Sequence, residues 1–505
     1  MQPNGTEFRF VAAEKGAAPP AVLIVPLFAK PQPPLELVAR VDRLCGDAVS
    51  NLLAAQSLGD KVGQLAHTAA AGACRRVLLV SLGDAARLES HHVRQAAAAA
   101  ARWLVAEKTG VAALWIDTLT GTRIEQAVAE WALGMTLAGF RFEAFRKPEN
   151  GTLRTITVQL RAGDAGHVQR AFAAVKDSVT IAESVNYARA LAHQPPNLCN
   201  PATLAAEARR LARAARLKCT VLEPPQLRAL QMHGLLAVGQ GALHPARLIQ
   251  LEYRGAPKAR ATTVLVGKAI TFDTGGYSIK PAAGLEWLKF DKCGGAAVLG
   301  VLRAAAALKL HCNLVGLVAA AENAISERAY RPGDILTLMS GKTVEVNNTD
   351  AEGRLILADA LTYAQQKLKP TTLIDLATLT GGVGVALGKV AAGLMSNDDA
   401  LAADLGEAGR RTHERLWRLP LWDDYRELIK SSEADIKNSA GAGKRDAHAI
   451  VGGMFLKEFI ADDLPWAHLD IAAVATDENG AGPGGKGATG FGVRLLIEFL
   501  RRRGA

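Results

Sequence analysis

A chain of 505 residues exceeds what one ordinary hydrophobic core supports, so its length predicts two domains. Hydrophobic residues make up 49% of it, yet no uncharged apolar run reaches the roughly 18 residues that a membrane-spanning helix requires. Six scattered cysteines without a C-x-x-C pair favour reduced thiols in a cytoplasmic protein over disulfides or a cysteine zinc site. The formal charge of +10 permits an anionic partner without requiring one.

Residues 1–165 alternate apolar runs with alanine-rich helical stretches. Residues 21–30, 75–84 and 111–119 are predicted strands, and residues 93–108 are a predicted helix. Such alternation is typical of βαβ units. It predicts a smaller N-terminal α/β domain with a mostly parallel sheet.

The longest helical pattern covers residues 167–193 and contains neither glycine nor proline. It stops at "QPPN", because the prolines cannot continue a helix. A long helix between two α/β patterns is expected to connect two domains. We therefore predict an N-terminal domain at 1–165, a connecting helix at 166–193 and a larger C-terminal α/β domain at 194–505.

A basic stretch, "EARRLARAARLK", occupies residues 207–218. Arg209, Arg213 and Arg216 recur at helical spacing opposite leucines and alanines, which is typical of a solvated helix face. A nucleic-acid-binding patch is the alternative. No aromatic residues interleave with these charges, as single-strand binding would favour, so the solvated face is the preferred interpretation.

From residue 194 onward a second α/β pattern runs to the end of the chain. It predicts a mixed, mostly parallel central sheet flanked by helices such as 294–310. A hairpin is predicted at 335–346, turning at residues 340–342. The main predicted strands are 262–267, 313–321, 371–379 and 467–475. Because chemistry in open α/β sheets gathers at the carboxyl ends of strands, functional residues are expected just after these segments.

A glycine-rich segment, residues 267–298, follows the first of these strands. Lys268, Asp273, Lys280 and Asp291 stand in it. A flexible surface loop with ordinary salt bridges is one interpretation. The flanks are apolar on both sides, however, so the segment is expected to be enclosed by core, where charged groups need partners or a metal ion.

A second charged segment, "VNNTDAEGRLILADAL", places Asp350, Glu352 and Arg354 at every second position between apolar runs. Thr349 with Glu352 fits a capping box ahead of a helix, in which Glu352 reaches back to the backbone. That interpretation leaves Asp350 without a role. In an extended segment all three charged side chains would instead project to one side.

Taken together, the two segments place four carboxylates after strand ends of one domain. Such a cluster is self-repelling unless cations intervene, and two metal ions roughly 3.5–4 Å apart are a common solution. No H-E-x-x-H motif occurs. The site is therefore expected to be oxygen-rich, which suits Mn²⁺, Mg²⁺ or Zn²⁺.

These motifs resemble those of a known family. "NTDAEGRLILADAL" (348–361) looks like the signature of the cytosolic leucyl aminopeptidases, the M17 metallopeptidases. "GKAITFDTGGYSIKP", "LKFDKCGGAAVLG", "DLATLTGG" and "WAHLDIAAVAT" also fall in the family's order. The resemblance covers the whole second domain, whereas the first domain resembles the family only in size and α/β pattern.

The resemblance implies a centre of two divalent metal ions, zinc or manganese and possibly magnesium. Asp273 and Glu352 would bridge the two ions. Lys268, as a neutral amine, and Asp291 would complete the tighter site, and Asp350 the more exchangeable one. A lysine ligates a metal only without its proton, which would make metal binding pH-dependent.

The reaction implied is hydrolysis of the first peptide bond of peptides with a free amino terminus, with Leu and other apolar first residues preferred. A water acidified by the two cations would attack the scissile carbonyl. Lys280 would stabilise the developing oxyanion, and a bicarbonate held by Arg354 would act as general base. These two residues are the predicted catalytic side chains.

The pocket for the first residue is implied to include Leu288, Thr378, Gly381, Ala472 and Ala475. Leu288 and Ala475 stand where methionines are common in the family. Leucine for methionine nearly conserves volume, whereas alanine opens space, so larger aromatic first residues are also expected to fit.

The family also implies a homohexamer. A role in DNA binding through the basic surface is a second hypothesis, since some bacterial members have it. A catalytically dead structural paralogue is a third, and it is disfavoured because all seven expected polar positions are present.

Overall fold

A computed structural model of the protein contains two α/β units. They correspond to the two alternating patterns of the sequence. The structure describes residues 4–12, 20–119, 123–147, 154–441 and 446–504. One unit comprises Gln2–Asn186 and Glu478–Lys486, and the other comprises Tyr187–Asp477 and Gly487–Ala505. The predicted fold class is confirmed. The outermost bounds of the predicted domains, residues 1 and 505, lie outside the described residues.

A six-stranded sheet lies at the centre of the N-terminal unit. Its strands in chain order are β1 (Glu7–Ala12), β2 (Val22–Leu27), β3 (Leu65–Ala69), β4 (Arg76–Ser81), β5 (Val111–Trp115) and β6 (Thr155–Arg161). They are arranged in the order β1-β6-β5-β2-β4-β3. The edge strand β3 is antiparallel to β4, and the other pairs of this sheet are parallel. A short antiparallel pair joins Asn4–Gly5 to Phe140–Arg141.

Helices cover both faces of this sheet, and every residue of β2 is therefore buried. Leu35–Cys45 and Ala48–Ala54 share one core cluster with Leu23 and Val25 of β2. Ser90–Ala106 and Ile124–Gly139 share the other cluster with Ile24. A short 3₁₀ turn lies at Ala85–Arg87.

The predicted strand 111–119 is wrong beyond Trp115. The chain turns there into a short 3₁₀ helix, Ile116–Thr118. Thr118 donates its hydroxyl to the Trp115 carbonyl at 2.9 Å, which closes the turn locally. Apolar periodicity alone does not distinguish such a turn from the end of a buried strand.

The long helix spans Ala165–His193 and ends just before the two prolines, as predicted. The division between the two units falls within it, after Asn186. Among the described residues, no helix is both long and apolar enough to cross a bilayer.

The larger unit contains an eight-stranded mixed sheet. Its strands are β7 (Lys218–Leu222), β8 (Arg247–Arg254), β9 (Thr263–Asp273), β10 (Asn313–Asn323), β11 (Thr372–Ala377), β12 (Ala392–Ser396), β13 (Leu416–Arg418) and β14 (Trp466–Asp470). Their order is β13-β12-β14-β11-β9-β10-β8-β7. The four central strands β14, β11, β9 and β10 are mutually parallel, so their carboxyl ends meet at one edge.

Helices and short elements surround this sheet. The α-helices are Pro201–Ala215, Pro224–Ala229, His233–Gly239, Cys293–Ala307, Glu352–Tyr363, Gly381–Leu387, Asp399–Thr412, His448–Lys457 and Val493–Gly504. A π-helical turn, Ala364–Leu368, continues one of them, and 3₁₀ helices lie at Leu285–Phe290 and Asp423–Ile429. The short strands Thr476–Asp477 and Gly487–Ala488 pair antiparallel.

The predicted hairpin is confirmed. Ile335–Thr337 pairs antiparallel with Thr343–Glu345, and Ile436–Lys437 adds a parallel third strand. The predicted strand 467–475, in contrast, ends at Asp470. Residues 471–475 turn instead, with Ala475 donating its N–H to the Ile471 carbonyl at 2.8 Å.

The glycines of the segment 267–298 allow a helix to touch the sheet. A Cβ on Gly294 would lie 2.2 Å from the Leu376 carbonyl oxygen, and one on Gly295 would lie 2.8 Å from the Ala269 Cβ. Residues with larger side chains would push Cys293–Ala307 away from β9 and β11. Close packing of this helix therefore fixes the segment that precedes it, which carries Asp291.

The basic stretch lies on Pro201–Ala215 and the turn that ends it. Leu204, Ala208 and Leu211 are buried, whereas Arg209 and Arg213 are exposed. This arrangement agrees with the preferred interpretation of a solvated helix face.

Candidate metal centre

The predicted site lies at the carboxyl ends of the central strands of the larger unit. Lys268 and Asp273 belong to β9, and Thr378 follows β11 directly. The pairing of β9 with β10 shifts register between Ile270 and Asp273. Such an irregularity re-aims the last side chains of a strand. The candidate functional side chains therefore lie at strand ends, as expected for an open α/β sheet.

Lys268 is the most enclosed cation of the site, with 3% of its side chain exposed. Its Nζ lies 2.9 Å from Asp291 Oδ2, 2.8 Å from Glu352 Oε1 and 2.8 Å from the Thr378 carbonyl oxygen. Burial lowers its pKa, but the carboxylates of Asp291, Glu352 and Asp273 outweigh burial and raise that pKa above its ordinary value. Without a metal ion, Lys268 is therefore an ammonium that neutralises its acidic neighbours.

Burial disfavours the charged forms of the two carboxylates beside Lys268. Burial raises the pKa of Glu352 to about 8 and that of Asp291 to about 6, against the opposing effect of Lys268. Thr378 donates its hydroxyl to Asp291 Oδ1 at 2.6 Å. Glu352 Oε2 is buried without a hydrogen-bond partner. Since a buried polar atom normally has a partner, this oxygen is a candidate ligand atom.

A second cation, Lys280, stands between Asp273 and Asp350. Its Nζ lies 2.9 Å from Asp273 Oδ2 and also contacts Asp350 Oδ1. Asp273 Oδ1 accepts hydrogen bonds from the N–H of Gly275 at 2.9 Å and from Asn323 Nδ2 at 2.8 Å. Lys280 is more exposed than Lys268, at 22% of its side chain.

The backbone around Glu352 is not extended, so that prediction is wrong. The helix Glu352–Tyr363 begins at Glu352, with Ala351 as its N-cap. The capping box, which was the alternative interpretation, does not form either, since Ala351 and not Thr349 is the N-cap. The Thr349 hydroxyl donates to the Gly275 carbonyl at 2.7 Å and accepts from the Ser278 N–H at 2.8 Å, which ties the two charged segments together.

Glu352 and Arg354 point to different sides because they lie in one helical turn. Residues two apart on an α-helix are separated by about 200°. Glu352 reaches Lys268, whereas the Arg354 Nη1 donates to the Asn438 carbonyl at 2.9 Å. Arg354 is buried, and its Nε has no hydrogen-bond partner. Burial lowers its pKa to about 10, while Glu352, Asp470 and Asp350 oppose that shift.

The donor set fits divalent cations. Asp273, Asp350 and Glu352 each offer a carboxylate oxygen, and these oxygens lie within 4.8 Å of one another. Asp291 joins the group through its shared contact with Lys268. Four carboxylates against two ammonium groups leave excess negative charge in a buried place. Hard or borderline cations with oxygen ligands would neutralise it.

The predicted pocket residues lie on several segments, with Leu288 in the 3₁₀ helix Leu285–Phe290, Gly381 at the start of its helix, and Thr378, Ala472 and Ala475 in loops. Thr378 contacts Asp291, and Leu288 accepts the Asp291 N–H at 3.3 Å through its carbonyl oxygen. Gly381 is exposed, and a Cβ there would meet no other atom within 4 Å. Ala475 is 2% exposed and lines a cavity of about 10 Å³ with Cys293 and Phe491.

Asp470, which sequence reasoning missed, organises two of these loops. Its Oδ1 accepts from the N–H groups of Leu379 at 3.1 Å and Ala472 at 3.2 Å. Its Oδ2 accepts the Thr380 hydroxyl at 2.6 Å, and that hydroxyl in turn accepts the Val383 N–H at the start of Gly381–Leu387. Asp470 therefore fixes the backbone that carries Thr378, Gly381 and Ala472.

Asn323 and Tyr330 were also missed. Asn323 Nδ2 bonds both Asp273 Oδ1 and, at 3.1 Å, the Thr349 carbonyl, while the Tyr330 hydroxyl donates to the same carbonyl at 2.7 Å. Asn323 and Asp470 are each the last residue of a central strand. Asn323 lies just beyond the predicted strand 313–321, so its place after a strand was a signal for it, whereas Asp470 fell inside the predicted strand 467–475.

Comparisons with known proteins agree on one family. The model described as "Cytosol aminopeptidase family, catalytic domain" matches residues 186–497, and the one described as "Cytosol aminopeptidase family, N-terminal domain" matches residues 24–149. A "Probable cytosol aminopeptidase" of Geobacter sulfurreducens is 42% identical over 498 residues, which cover 97% of this chain and 98% of that protein. A protein of the same name from Roseiflexus castenholzii is 46% identical over 432 residues, with 85% and 87% covered.

Two solved structures are similar to this chain over nearly its whole length. The structure titled "Bottromycin maturation enzyme BotP in complex with Mn" has a TM-score of 0.84 and 32% sequence identity to this chain. The match covers 97% of this chain and 100% of the other. A second structure of that enzyme matches with the same TM-score at 31% identity, covering 96% of this chain and 99% of the other.

Replacing Gly353 with alanine is expected to displace Lys268. The added Cβ would lie 2.7 Å from both Cε and Nζ of Lys268, whose tip is held by three partners. We expect the Mn²⁺ bound per chain, measured by mass spectrometry after dialysis against limiting Mn²⁺, to fall to less than half of the wild-type content.

Gly384→Ala is the matched control, because its Cβ would meet only the Ala473 Cβ at 3.9 Å. Wild-type Mn²⁺ content in Gly353→Ala would show that the position of Lys268 does not matter for metal binding.

Proposed function

Because the chain belongs to the cytosol aminopeptidase family, whose members are metal-dependent peptidases, we propose that it removes the first residue of peptides at a centre of two divalent ions. One observation carries the two-metal proposal. Carboxylate oxygens of Asp273, Asp350 and Glu352 lie within 4.8 Å of one another, and the charged groups that contact them are the ammonium groups of two lysines, Lys268 and Lys280.

We propose the ligand roles that the family resemblance implies. Asp273 and Glu352 would bridge the two ions, Lys268 and Asp291 would complete one site, and Asp350 would complete the other. Lys268 must lose its proton to ligate, and Glu352 must lose one where its pKa of about 8 keeps it protonated. Metal uptake is therefore expected to release protons and to strengthen as the pH rises.

Bound divalent ions would supply an acidified water and a polarised scissile carbonyl. The chain's own cations complete the chemistry. Lys280 keeps an ammonium whose pKa is raised above its ordinary value, since Asp273, Glu352 and Asp350 outweigh the effect of burial. Its partial exposure suits contact with the oxyanion that develops on the substrate.

Arg354 is proposed to hold a small anion, bicarbonate, which would supply a general base when bound. A buried guanidinium with an unpartnered Nε and one bond from Nη1 retains donors for an anion. Its fork of N–H groups matches the geometry of a carboxylate-like ion. Zn²⁺, Mn²⁺ and Mg²⁺ are the candidate metals, and the Mn in the BotP complex supports manganese by analogy.

Leucine and other apolar first residues are the proposed substrates, taken by the pocket of Leu288, Thr378, Gly381, Ala472 and Ala475. A homohexamer in the cytoplasm is proposed from family membership alone. The DNA-binding hypothesis gains no support from the comparisons. Exposed arginines of Pro201–Ala215 are partly paired, Arg210 with Glu207 at 2.6 Å and Arg209 with Glu223 at 4.0 Å.

Replacing Asp273 or Glu352 with alanine is expected to abolish hydrolysis of Leu-p-nitroanilide, because either change removes a proposed bridging ligand. We expect kcat/KM to fall by at least about 10³-fold, in line with the loss of metal-ion catalysis. Glu327→Ala, at a glutamate whose side chain is 82% exposed, is the control that should keep wild-type activity. Circular dichroism verifies folding, and full activity in a folded Asp273→Ala variant would refute the assignment.

Replacing Ala475 with methionine is expected to narrow the pocket. The cavity beside Ala475, of about 10 Å³, has room for about one water and is too small for a methionine side chain, so we propose that the longer side chain would take up space in the proposed substrate pocket. The ratio of kcat/KM for Phe-p-nitroanilide over Leu-p-nitroanilide is expected to fall about tenfold, the effect of a few methylene groups in a pocket. A wild-type enzyme with a sharp preference for Ala or Gly would contradict this pocket assignment.

A further inference from the structure

The N-terminal unit contains a cleft of about 760 Å³ that the proposed reaction does not use. This volume lies within the range of about 300–1,000 Å³ that is typical of small-molecule sites. Apolar and polar side chains share the lining, including Phe28, Lys30, Leu35, Ser50, Leu58 and Asp60. All of its lining residues belong to one unit, so the cleft is a feature of that unit itself.

The cleft opens at the carboxyl end of β2, which is a favoured place for ligands in this class of sheet. The connection that leaves β2 leads to β3, which lies beyond β4 on one side of the sheet, and the one that leaves β5 leads to β6 on the other side. Open α/β sheets bind ligands at such a switch in direction, beyond the carboxyl ends of the strands. Residues 28–30 follow β2 directly and form part of the lining.

Hydrogen bonds fix both sides of the cleft. On the strand side, the Ala29 N–H donates to the Gly83 carbonyl at 2.9 Å, and the Lys30 carbonyl accepts the Ala85 N–H at 2.8 Å. On the helix side, the buried Asp42 carboxylate accepts the Val49 N–H at 2.9 Å and the Ser50 hydroxyl at 2.5 Å. The cleft is thus preformed, which reduces the entropy lost when a ligand binds.

The charged groups of the lining are one cation and one anion. Lys30 Nζ lies 3.6 Å from Asp60 Oδ2, with side chains 69% and 70% exposed. An exposed pair of this kind contributes little to stability, so a ligand carrying both charges can replace it at little cost. One charge of each sign does not match a polyphosphate, which would need several cations.

The apolar residues of the lining are exposed enough to contact an apolar group of a ligand. Leu35 is 87% exposed at the start of its helix, and Leu53 and Leu58 are half-buried. Phe28 and Val38 are buried beneath them. A ligand with an apolar group beside its charges would cover this surface.

We propose that the cleft binds a zwitterion with an apolar side chain, an α-amino acid or short peptide whose carboxylate meets Lys30 and whose ammonium meets Asp60. The choice of this class among zwitterions rests on the proposed function, since that reaction consumes short peptides and releases amino acids. The cleft and its charges do not rest on it.

Equilibrium dialysis of the full-length protein with radiolabelled leucine tests the site. Lys30→Ala and Asp60→Ala are each expected to weaken one class of leucine binding at least tenfold. Lys61→Ala is the matched control, because Lys61 is exposed, adjacent to Asp60 and outside the lining. All three variants are expected to hydrolyse Leu-p-nitroanilide within twofold of wild type at low leucine.

Leucine analogues that lack one charged group, and a dipeptide, test which ligand the cleft binds. N-acetyl-leucine lacks the ammonium and isopentylamine lacks the carboxylate, so both are expected to bind at least tenfold more weakly than leucine at the site that depends on Lys30. Leu-Leu, added to the Glu352→Ala variant, separates the sources: tighter binding than leucine assigns a short peptide, and weaker binding assigns the free amino acid.

Leucine binding that is identical in Lys30→Ala, Asp60→Ala and wild type would overturn the proposal, as would binding of N-acetyl-leucine as tight as that of leucine. A failure of the proposed function is distinguishable. In that case the wild-type protein would not hydrolyse Leu-p-nitroanilide, while leucine binding that depends on Lys30 would remain.

Discussion

The burial of Asp273, Asp291 and Glu352 beside a fourth, partly exposed carboxylate, Asp350, is the constraint on which the candidate site depends. Carboxylates that lie this close together repel each other, and burial raises the pKa of Asp291 and Glu352. Without metal ions, the ammonium groups of Lys268 and Lys280 hold the cluster together. This arrangement keeps the proposed ligand atoms in position and leaves Glu352 Oε2 without a hydrogen-bond partner.

Uncharged residues and backbone groups provide the geometry of the cluster. Glycines 294 and 295 let the helix Cys293–Ala307 touch the central strands, and Gly353 leaves room for the Lys268 side chain. Asn323 bonds Asp273 and the backbone of the second charged segment at once, while Asp470 fixes the loops of the proposed substrate pocket. Substitutions at such positions would alter the site without removing any ligand.

Sequence reasoning found the strand-end location of the site but not the local backbone. Parallel strands place their carboxyl ends together, so charged residues that follow different strands could be grouped without coordinates. The alternating charges at 350–354 suggested an extended segment, yet Glu352 starts a helix, and Arg354 therefore turns away toward Asn438. Partners such as Asn438 and Asp470 come from distant segments, and only the fold brings them near. The N-terminal cleft depends in the same way on where helices close over β2, which periodicity does not specify.

Anomalous diffraction from crystals soaked in Mn²⁺ and in Zn²⁺, recorded at each metal edge, tests the central claim most directly. The account predicts two peaks per chain, roughly 3.5–4 Å apart, with carboxylate oxygens of Asp273 and Glu352 between them. A single peak, or peaks that touch neither of these carboxylates, would contradict it.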